Sequence, residues 1–191
     1  MLAFVDGRSA RAARNREAVI DATLALITEE AGSPTAHAIA ARAGVSTRSV
    51  FHHFDDLDAL FADAADAQAR RHWHLLDAQP HDLHDALTKR AELFERIGPS
   101  RRFASAHEHE SPVLAQRLRD SRAALRGHLR RALGPDIHGL DRPTVGALEA
   151  AASWETWEVL RRHQGLSVKA SISAVRTLIE HTLHATSNAL R

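Results

Sequence analysis

Apolar residues spaced three or four positions apart run through most of this chain, and they limit it to a helical fold. Near the N-terminus, Ala18, Val19, Ala22, Leu26 and Ile27 follow this spacing, which places them on one face of a helix. No stretch sustains the alternation of apolar and polar residues that a half-buried strand needs. The pattern therefore predicts an all-α protein.

Glycine and proline fall between the apolar stretches and divide them into separate helices. The first helix is expected to have Ser9 as its N-cap and to end near Gly32-Ser33-Pro34. Gly98-Pro99, Gly134-Pro135 and Gln164-Gly165 are expected to separate the later helices, and Ser100–Ser111 has no clear assignment. The longer helices after the first are predicted over Asp56–Ala78, Asp82–Ile97, Pro112–Leu133, Arg142–His163 and Ser167–Ala189.

Composition excludes several classes of protein. The chain has no cysteine, which rules out disulfides, thiol nucleophiles, cysteine-based zinc sites and iron–sulfur clusters. It has neither a run of about 20 apolar residues nor a signal-peptide pattern, so we expect a cytoplasmic protein without a membrane segment. It also lacks a Gly-x-Ser-x-Gly elbow and a glycine-rich phosphate loop, so we predict neither an enzyme nor a bound cofactor.

Histidine is frequent, but its spacing does not favour a metal site. The chain has 14 histidines, and His107-Glu108-His109-Glu110 is the most metal-like string. Alternating ligands converge only on a strand, whereas the neighbours of this string are helical. His81 and His84 could share a metal, although solvated or hydrogen-bonded histidines are the favoured interpretation. We therefore predict no metal site.

Two short helices joined by a glycine form a helix-turn-helix candidate. The first runs from Thr35, a possible N-cap, to Arg42, and Ile39 and Ala40 face inward. Gly44 suits the left-handed backbone of a tight turn, and Ser46 can cap a second helix, 47–53.

This segment closely resembles the DNA-binding region of the TetR family of bacterial transcriptional regulators. The resemblance centres on IAARAGVSTRSVFHHF, from Ile39 to Phe54, and extends to Phe61. It implies a three-helix DNA-binding domain over residues 1–55 and a helical effector-binding and dimerisation domain over residues 56–191. The helix over Asp56–Ala78 would connect the two.

A helix fits the major groove of B-DNA with its N-terminal residues against the base edges. Arg48 can bond to guanine O6 and N7, Thr47 and Ser49 can reach phosphates or bases, and Phe51 can contact a sugar or a thymine methyl. The resemblance implies further backbone contacts from Thr35 and His52. The full set expected to contact DNA is Thr35, Ser46, Thr47, Arg48, Ser49, Phe51, His52 and His53.

Positive charge in the predicted DNA-binding domain is concentrated near its start. Residues 1–54 hold six arginines against five carboxylates, and four of the arginines lie between Arg8 and Arg16. This segment could be an arm that follows phosphates or enters the minor groove, or it could be a solvated helix start.

For the larger domain, the resemblance implies a pocket for a small effector and a homodimer formed by the last two long helices. Their apolar faces could instead be buried within one subunit. Candidate effector contacts are Trp73, Phe94, Phe103, His107, Trp154 and Trp157, although ordinary core packing is the favoured explanation for each of them individually. Arg90, Arg117 or Arg122 could pair with an anionic effector, or each could be exposed or ion-paired.

These features predict a repressor that an unidentified small-molecule effector releases from a palindromic double-stranded DNA operator. The alternative is a small helical ligand-binding or metal-binding protein whose helix-turn-helix has lost DNA affinity. Leu57 keeps this alternative open, because it lies within the acidic cluster Asp55, Asp56 and Asp58, where phosphates would be repelled.

Overall fold

The computed structural model describes residues 7–29, 32–77 and 79–189, and every regular element among them is a helix. This confirms the predicted all-α class. None of the helices in these ranges is long and apolar enough to cross a bilayer. The α-helices are α1 Gly7–Thr28, α2 Ala36–Ala43, α3 Thr47–His53, α4 Leu57–His72, α5 Leu83–Ala106, α6 Pro112–Leu133, α7 Arg142–Ala151, α8 Trp154–Glu158 and α9 Val168–Ala189. Short 3₁₀ turns follow α4 and α6, at Trp73–Leu76 and Gly134–Ile137, and a π turn follows α8 at Val159–His163.

Side-chain caps fix the starts of the short helices α2 and α3. The Thr35 hydroxyl accepts a hydrogen bond from the Ala38 amide at 3.2 Å, and the Ser46 hydroxyl accepts one from the Ser49 amide at 3.1 Å. Asp56 does the same for α4, because its carboxylate accepts from the Ala59 amide at 2.7 Å. Each cap pairs a backbone N–H that the helix leaves without a partner. The caps at Thr35 and Ser46 agree with the sequence prediction.

Several predicted helix boundaries are wrong. Helix α1 begins at Gly7, so Ser9 lies inside it, and α5 continues through Gly98-Pro99 to Ala106. Burial of Ile97 and Ala104 on either side of Pro99 keeps α5 helical, because packing outweighs the hydrogen bond lost at the proline. Helix α4 ends at His72 and passes into a 3₁₀ turn, while its predicted end, Ala78, lies outside the described residues.

The helix predicted over Arg142–His163 is also wrong as a single element, because it breaks after Ala151. Ser153 starts a new helix by accepting a hydrogen bond from the Thr156 amide at 3.1 Å. The Thr156 hydroxyl donates to the Ala150 carbonyl at 2.7 Å, which pairs an acceptor at the end of α7. These two hydrogen bonds stabilise the break between α7 and α8.

Packing divides the chain into two compact units. The first contains the described residues up to Arg71 together with Ile97–Leu118, and the second contains His72–Arg96 together with the described residues from Arg119 onward. The core of the first unit includes Val19, Ile20, Ile39, Val50, Phe54, Leu60, Phe61, Leu114 and Leu118. The core of the second unit includes Leu87, Leu129, Leu133, Leu148, Leu160, Val175 and Ile179.

Gly44 sets the turn between α2 and α3. It adopts φ +67°, as predicted, and nothing lies within 4 Å of the place where a Cβ would be. Gly44→Ala should therefore lower the free energy of unfolding by about 1–2 kcal/mol, because an L side chain is strained in this conformation even without a clash. Urea unfolding of the purified protein measures the change.

Gly146→Ala provides a matched control for Gly44→Ala. Gly146 lies inside α7 without a positive φ, and a Cβ there also has open space. The substitution should raise the free energy of unfolding by roughly 0.5–1 kcal/mol, because alanine favours a helix interior more than glycine does. Equal changes in the two variants would contradict the conformational explanation.

Candidate nucleic-acid interface and internal cavity

Helix α3 has a polar and aromatic face that is exposed to solvent and an opposite, apolar face that is buried. Val50 and Phe54 are 1% and 4% exposed and pack into the core of the first unit, together with Ile39 of α2. Arg48 and His52 are exposed, and Phe51 is 48% exposed. Since aromatic rings are usually buried, an exposed ring beside an arginine on a rigid helix indicates a contact surface.

The remaining residues predicted to contact DNA lie on the same two helices. The caps Thr35 and Ser46 are exposed, while Thr47, Ser49 and His53 are partly buried. The Thr35 and Ser46 hydroxyls are held in place, because each already accepts a cap hydrogen bond. A hydroxyl that accepts from a helix N–H can still donate its own hydrogen to a phosphate oxygen.

Partly exposed ion pairs hold the helices around α3. Arg42 of α2 forms two hydrogen bonds with Glu29, at 2.8 and 2.7 Å. Arg16 forms a salt bridge with Asp63, and its guanidinium carbon lies 5.1 Å from the centre of the Phe54 ring. Since these contacts engage Arg16 and Arg42, they orient the helices and leave Arg48 as the cation on the outer face of α3.

The predicted arginine-rich arm is helical. Helix α1 begins at Gly7, so the segment does not extend as a flexible strand, and the side chain of Arg8 lies outside the described residues. Arg11 and Arg14 are exposed on the first turns of α1, whereas Arg16 is paired with Asp63. A helical start can place Arg11 and Arg14 near phosphates, but it does not suit entry into a minor groove.

His53 ends α3 in a neutral form at physiological pH. Partial burial, with smaller contributions from His52 and Arg16, lowers the pKa of His53 below its usual range. Its ring lies 5.4 Å from that of His52 and 6.4 Å from that of Phe54. His53 can therefore offer DNA a neutral hydrogen bond but little charge.

The second unit contains a small, mostly apolar cavity. Its empty volume is about 230 Å³ when the open mouth is counted, and its closed part has room for about one water molecule. Seven of the nine lining residues are apolar, and the other two are Arg90 and Ser153. The lining residues are Leu87, Arg90, Ala91, Phe94, Ala152, Ser153, Trp157, Ile172 and Val175.

The structure brings three of the candidate effector residues together. Phe94 and Trp157 line the cavity, and Trp154 packs edge-on against Phe94 with ring centres 5.5 Å apart. Trp73 belongs to the same unit but does not line this cavity. Phe103 and His107 belong to the first unit, where Phe103 packs against Phe61 at 4.8 Å and against His107 at 4.3 Å.

Sequence reasoning missed several lining residues, although α5 carried a usable signal. Leu87, Arg90, Ala91 and Phe94 follow helical spacing on α5, and this places an arginine in the middle of an apolar face. Ser153, Ile172 and Val175 come from distant parts of the chain, so only the folded structure could assign them to the cavity.

The three arginines considered for an anionic ligand have different surroundings. Arg117 pairs with Asp66 at 2.8 Å, and Arg122 pairs with Glu155 at 3.3 Å. Arg90 is 3% exposed, and among the described residues it contacts no carboxylate. Within the same ranges, no three histidine or carboxylate side chains gather in a way that could hold a metal ion.

Comparison with known proteins relates the N-terminal helices to one family. The profile of the bacterial regulatory proteins of the tetR family matches residues 19–64, which include α2, α3 and the start of α4. No protein of curated function has a significantly similar sequence.

Three solved structures share the fold over most of the chain. A transcriptional regulator from Rhodococcus sp. Rha1 has 21% identity and a TM-score of 0.67, with 91% of this chain and 96% of that protein covered. A Pseudomonas aeruginosa PAO1 protein described as a transcriptional regulator has 21% identity and a TM-score of 0.68, with 92% and 93% covered. A Mesorhizobium loti protein described as a TetR-family transcriptional regulator has 18% identity and a TM-score of 0.61, with 92% and 98% covered.

At these identities the solved structures establish the fold, and the family profile establishes the N-terminal domain. Both agree with the capped helices α2 and α3 and with the exposed face of α3. The chain is a TetR-like DNA-binding transcriptional regulator.

Proposed function

We propose that the protein is a homodimeric repressor that a small-molecule effector releases from a palindromic operator. Residues 1–55 would bind DNA, and residues 56–191 would bind the effector and form the dimer. The observation that carries the proposal is the solvent face of α3, where Arg48 and Phe51 are exposed above the buried Val50 and Phe54. A regulator of this kind acts in the cytoplasm and needs no catalytic site.

In this proposal the N-terminal half of α3 reads base edges while its flanks bind the DNA backbone. Arg48 would donate two hydrogen bonds to one guanine, which is the most common specific contact in the major groove. The caps Thr35 and Ser46 would donate to phosphates, with Thr47, Ser49, Phe51, His52 and His53 completing the surface. Phosphate contacts position the helix, and the few base contacts provide sequence specificity.

Dimerisation follows from the requirements of operator binding. Two copies of α3 must meet half-sites about one helical turn of DNA apart, which a two-fold symmetric dimer achieves. Val159 and Leu178 are 40% and 49% exposed on the C-terminal helical segment, and we propose that they lie in the dimer interface. Burial of these side chains would contribute apolar area to the association.

Effector release requires a ligand that binds one conformation better than the other. A ligand that favours the conformation with low operator affinity lowers DNA binding by its coupling free energy, typically about 1–3 kcal/mol. The cavity beside Phe94 and Trp157 is the proposed site. Its lining includes Ala152 and Ser153 at the break between α7 and α8, so a bound ligand would contact the junction of these two helices.

Arg48→Ala should weaken binding to the cognate operator by about 1–3 kcal/mol and relax base preference at one position of each half-site. The reason is the loss of a two-bond contact to guanine by a side chain whose helix remains capped and buried. Fluorescence anisotropy with operator variants at each position measures both effects.

Arg14→Ala is the matched control for Arg48→Ala, because Arg14 is exposed on α1 and, in this proposal, contacts phosphates and no base. This variant should weaken binding to all sequences alike. It should also reduce the slope of log binding constant against log salt concentration by about 1. An equal loss on every sequence for Arg48→Ala would contradict its base-reading role.

A further inference from the structure

Arg90 is a buried cation without a counter-ion among the described residues. It is 3% exposed, and its two terminal nitrogens both donate to the Leu125 carbonyl, at 3.1 and 2.9 Å. Its guanidinium carbon lies 6.0 Å from the centre of the Phe94 ring. Burial lowers the pKa of Arg90 to about 10, so the side chain keeps its charge at neutral pH. An unpaired buried charge is unfavourable, and proteins seldom retain one without a use.

Nearby carboxylates on α5 are engaged by other cations. Asp85 pairs with Lys89 at 2.8 Å, and Glu92 pairs with Arg96 at 2.5 Å. Glu95 accepts two hydrogen bonds from Arg161 at 2.9 Å and one from the Trp157 indole at 3.0 Å. Arg90 differs from Lys89, Arg96 and Arg161, because it donates to a backbone carbonyl and not to a carboxylate.

The cavity lining indicates what kind of ligand would fit beside Arg90. Its walls are apolar and aromatic around Arg90, and its second polar residue, Ser153, is engaged as the N-cap of α8. One cation matches one negative charge better than two, which favours a carboxylate over a phosphate. The closed part of the cavity has room for about one water molecule, which favours a small ligand over a drug-sized one.

We propose that this cavity binds a small monocarboxylate with an apolar aliphatic or aromatic body, whose carboxylate pairs with Arg90. The apolar body would lie against Phe94 and Trp157. Arg90 has five N–H donors, so its contact with the Leu125 carbonyl leaves others for the carboxylate. The inference deepens the proposed function, because it rests on this cavity being the effector site and names the chemical class of the effector.

The test compares acids with uncharged molecules of the same shape. Butyrate, hexanoate, octanoate and benzoate are titrated into the DNA-free protein alongside hexanamide and benzamide. Tryptophan fluorescence and calorimetry follow binding, because Trp157 lines the cavity and Trp154 is packed behind Phe94. At least one acid should bind tenfold or more tightly than its amide.

Two variants and a control assign that preference to Arg90. Arg90→Met keeps the length of the side chain and removes its charge, so the acid should bind no better than the amide. Ala152→Val narrows the cavity without changing Arg90, so it should weaken the binding of octanoate more than the binding of butyrate. Lys89→Met removes a neighbouring cation that does not line the cavity, and it should leave the tenfold preference intact.

Each outcome bears on the inference separately from the proposed function. Absence of an acid preference, or a preference that survives Arg90→Met, overturns the carboxylate site. Operator binding by the ligand-free protein is measured in parallel and does not depend on this result. If an acid binds through Arg90 but leaves operator affinity unchanged, the carboxylate site is supported while effector release fails.

Discussion

Replacing Leu178 with Asp is expected to convert the proposed dimer into a monomer and to lower operator affinity by about 100-fold or more. Leu178 is 49% exposed on α9, whereas its neighbours Val175 and Ile179 on the inner face are buried. In a proposed dimer a buried carboxylate at this position would lack a partner, which strongly disfavours association. A monomer also loses the added affinity that a dimer obtains by binding two half-sites at once. Sedimentation and anisotropy titrations measure the two effects.

Val113→Asp is the matched control for Leu178→Asp. Val113 is 44% exposed and lies on α6 in the first unit, so the substitution has similar chemistry at a similar exposure. It should leave the protein dimeric and its operator affinity within about twofold of wild type, since exposed substitutions change free energies by roughly 0.5 kcal/mol or less. A dimeric Leu178→Asp variant with wild-type operator affinity would refute the proposed interface.

Replacing His128 with Leu is expected to remove a large pH dependence of stability. His128 is 1% exposed, and neither ring nitrogen has a hydrogen-bond partner among the described residues. Burial, followed by the charge of Arg90, lowers the pKa of His128 to about 4. The unfolded chain binds this proton near pH 6.5, so folding stability is full above that pH and falls as the pH drops toward 4.

The size of this effect follows from the pKa difference. Between pH 7.5 and pH 4.5 the wild-type protein should lose about 2–3 kcal/mol through His128 alone, at 1.36 kcal/mol for each pKa unit. His128→Leu should be at least as stable as wild type at pH 7.5, because it removes two buried nitrogens without partners. Urea unfolding at the two pH values gives the difference.

His138→Leu serves as the control for His128→Leu, because His138 is exposed after the 3₁₀ turn that follows α6. Its pH profile should match that of wild type. If the wild-type protein and the His128→Leu variant lose the same stability between pH 7.5 and pH 4.5, the buried neutral histidine cannot be the cause.

The N-terminal helices could be predicted because their signals are local. Thr35, Gly44 and Ser46 act through groups within three or four residues, so the sequence carries the full information for each cap and turn. The exposed and buried faces of α2 and α3 follow from the same short spacing. Ile39 and Ala40 are buried as predicted.

The later helices were harder to predict because distant packing decides their boundaries. Pro99 is a helix breaker by local rules, yet the burial of Ile97 and Ala104 keeps α5 intact. Ser153 has the opposite effect, because a short-range cap signal within an apolar stretch proved stronger than the helical periodicity around it. Packing therefore decides the helix boundary in the first case, and a local cap decides it in the second.

The state of Arg90 could not be predicted from sequence. Its hydrogen-bond acceptor, the Leu125 carbonyl, is 35 residues away, and its cavity is completed by α9. The spacing of Leu87, Arg90 and Phe94 placed the arginine on an apolar face, but paired and unpaired arginines fit that pattern equally well. Only the arrangement of α5 and α6 distinguishes Arg90 from Arg117 and Arg122.

Selection from a random-sequence DNA library tests the central claim most directly, because it needs no assumption about where the operator lies. Wild-type protein should enrich a palindrome with half-sites about one helical turn apart, and the Arg48→Ala variant should lose the preference at one base pair of each half-site. Binding to the selected palindrome should exceed binding to scrambled DNA by at least about a thousandfold at physiological salt. Enrichment of no sequence, with equal binding to scrambled DNA, would contradict sequence-specific recognition through α3.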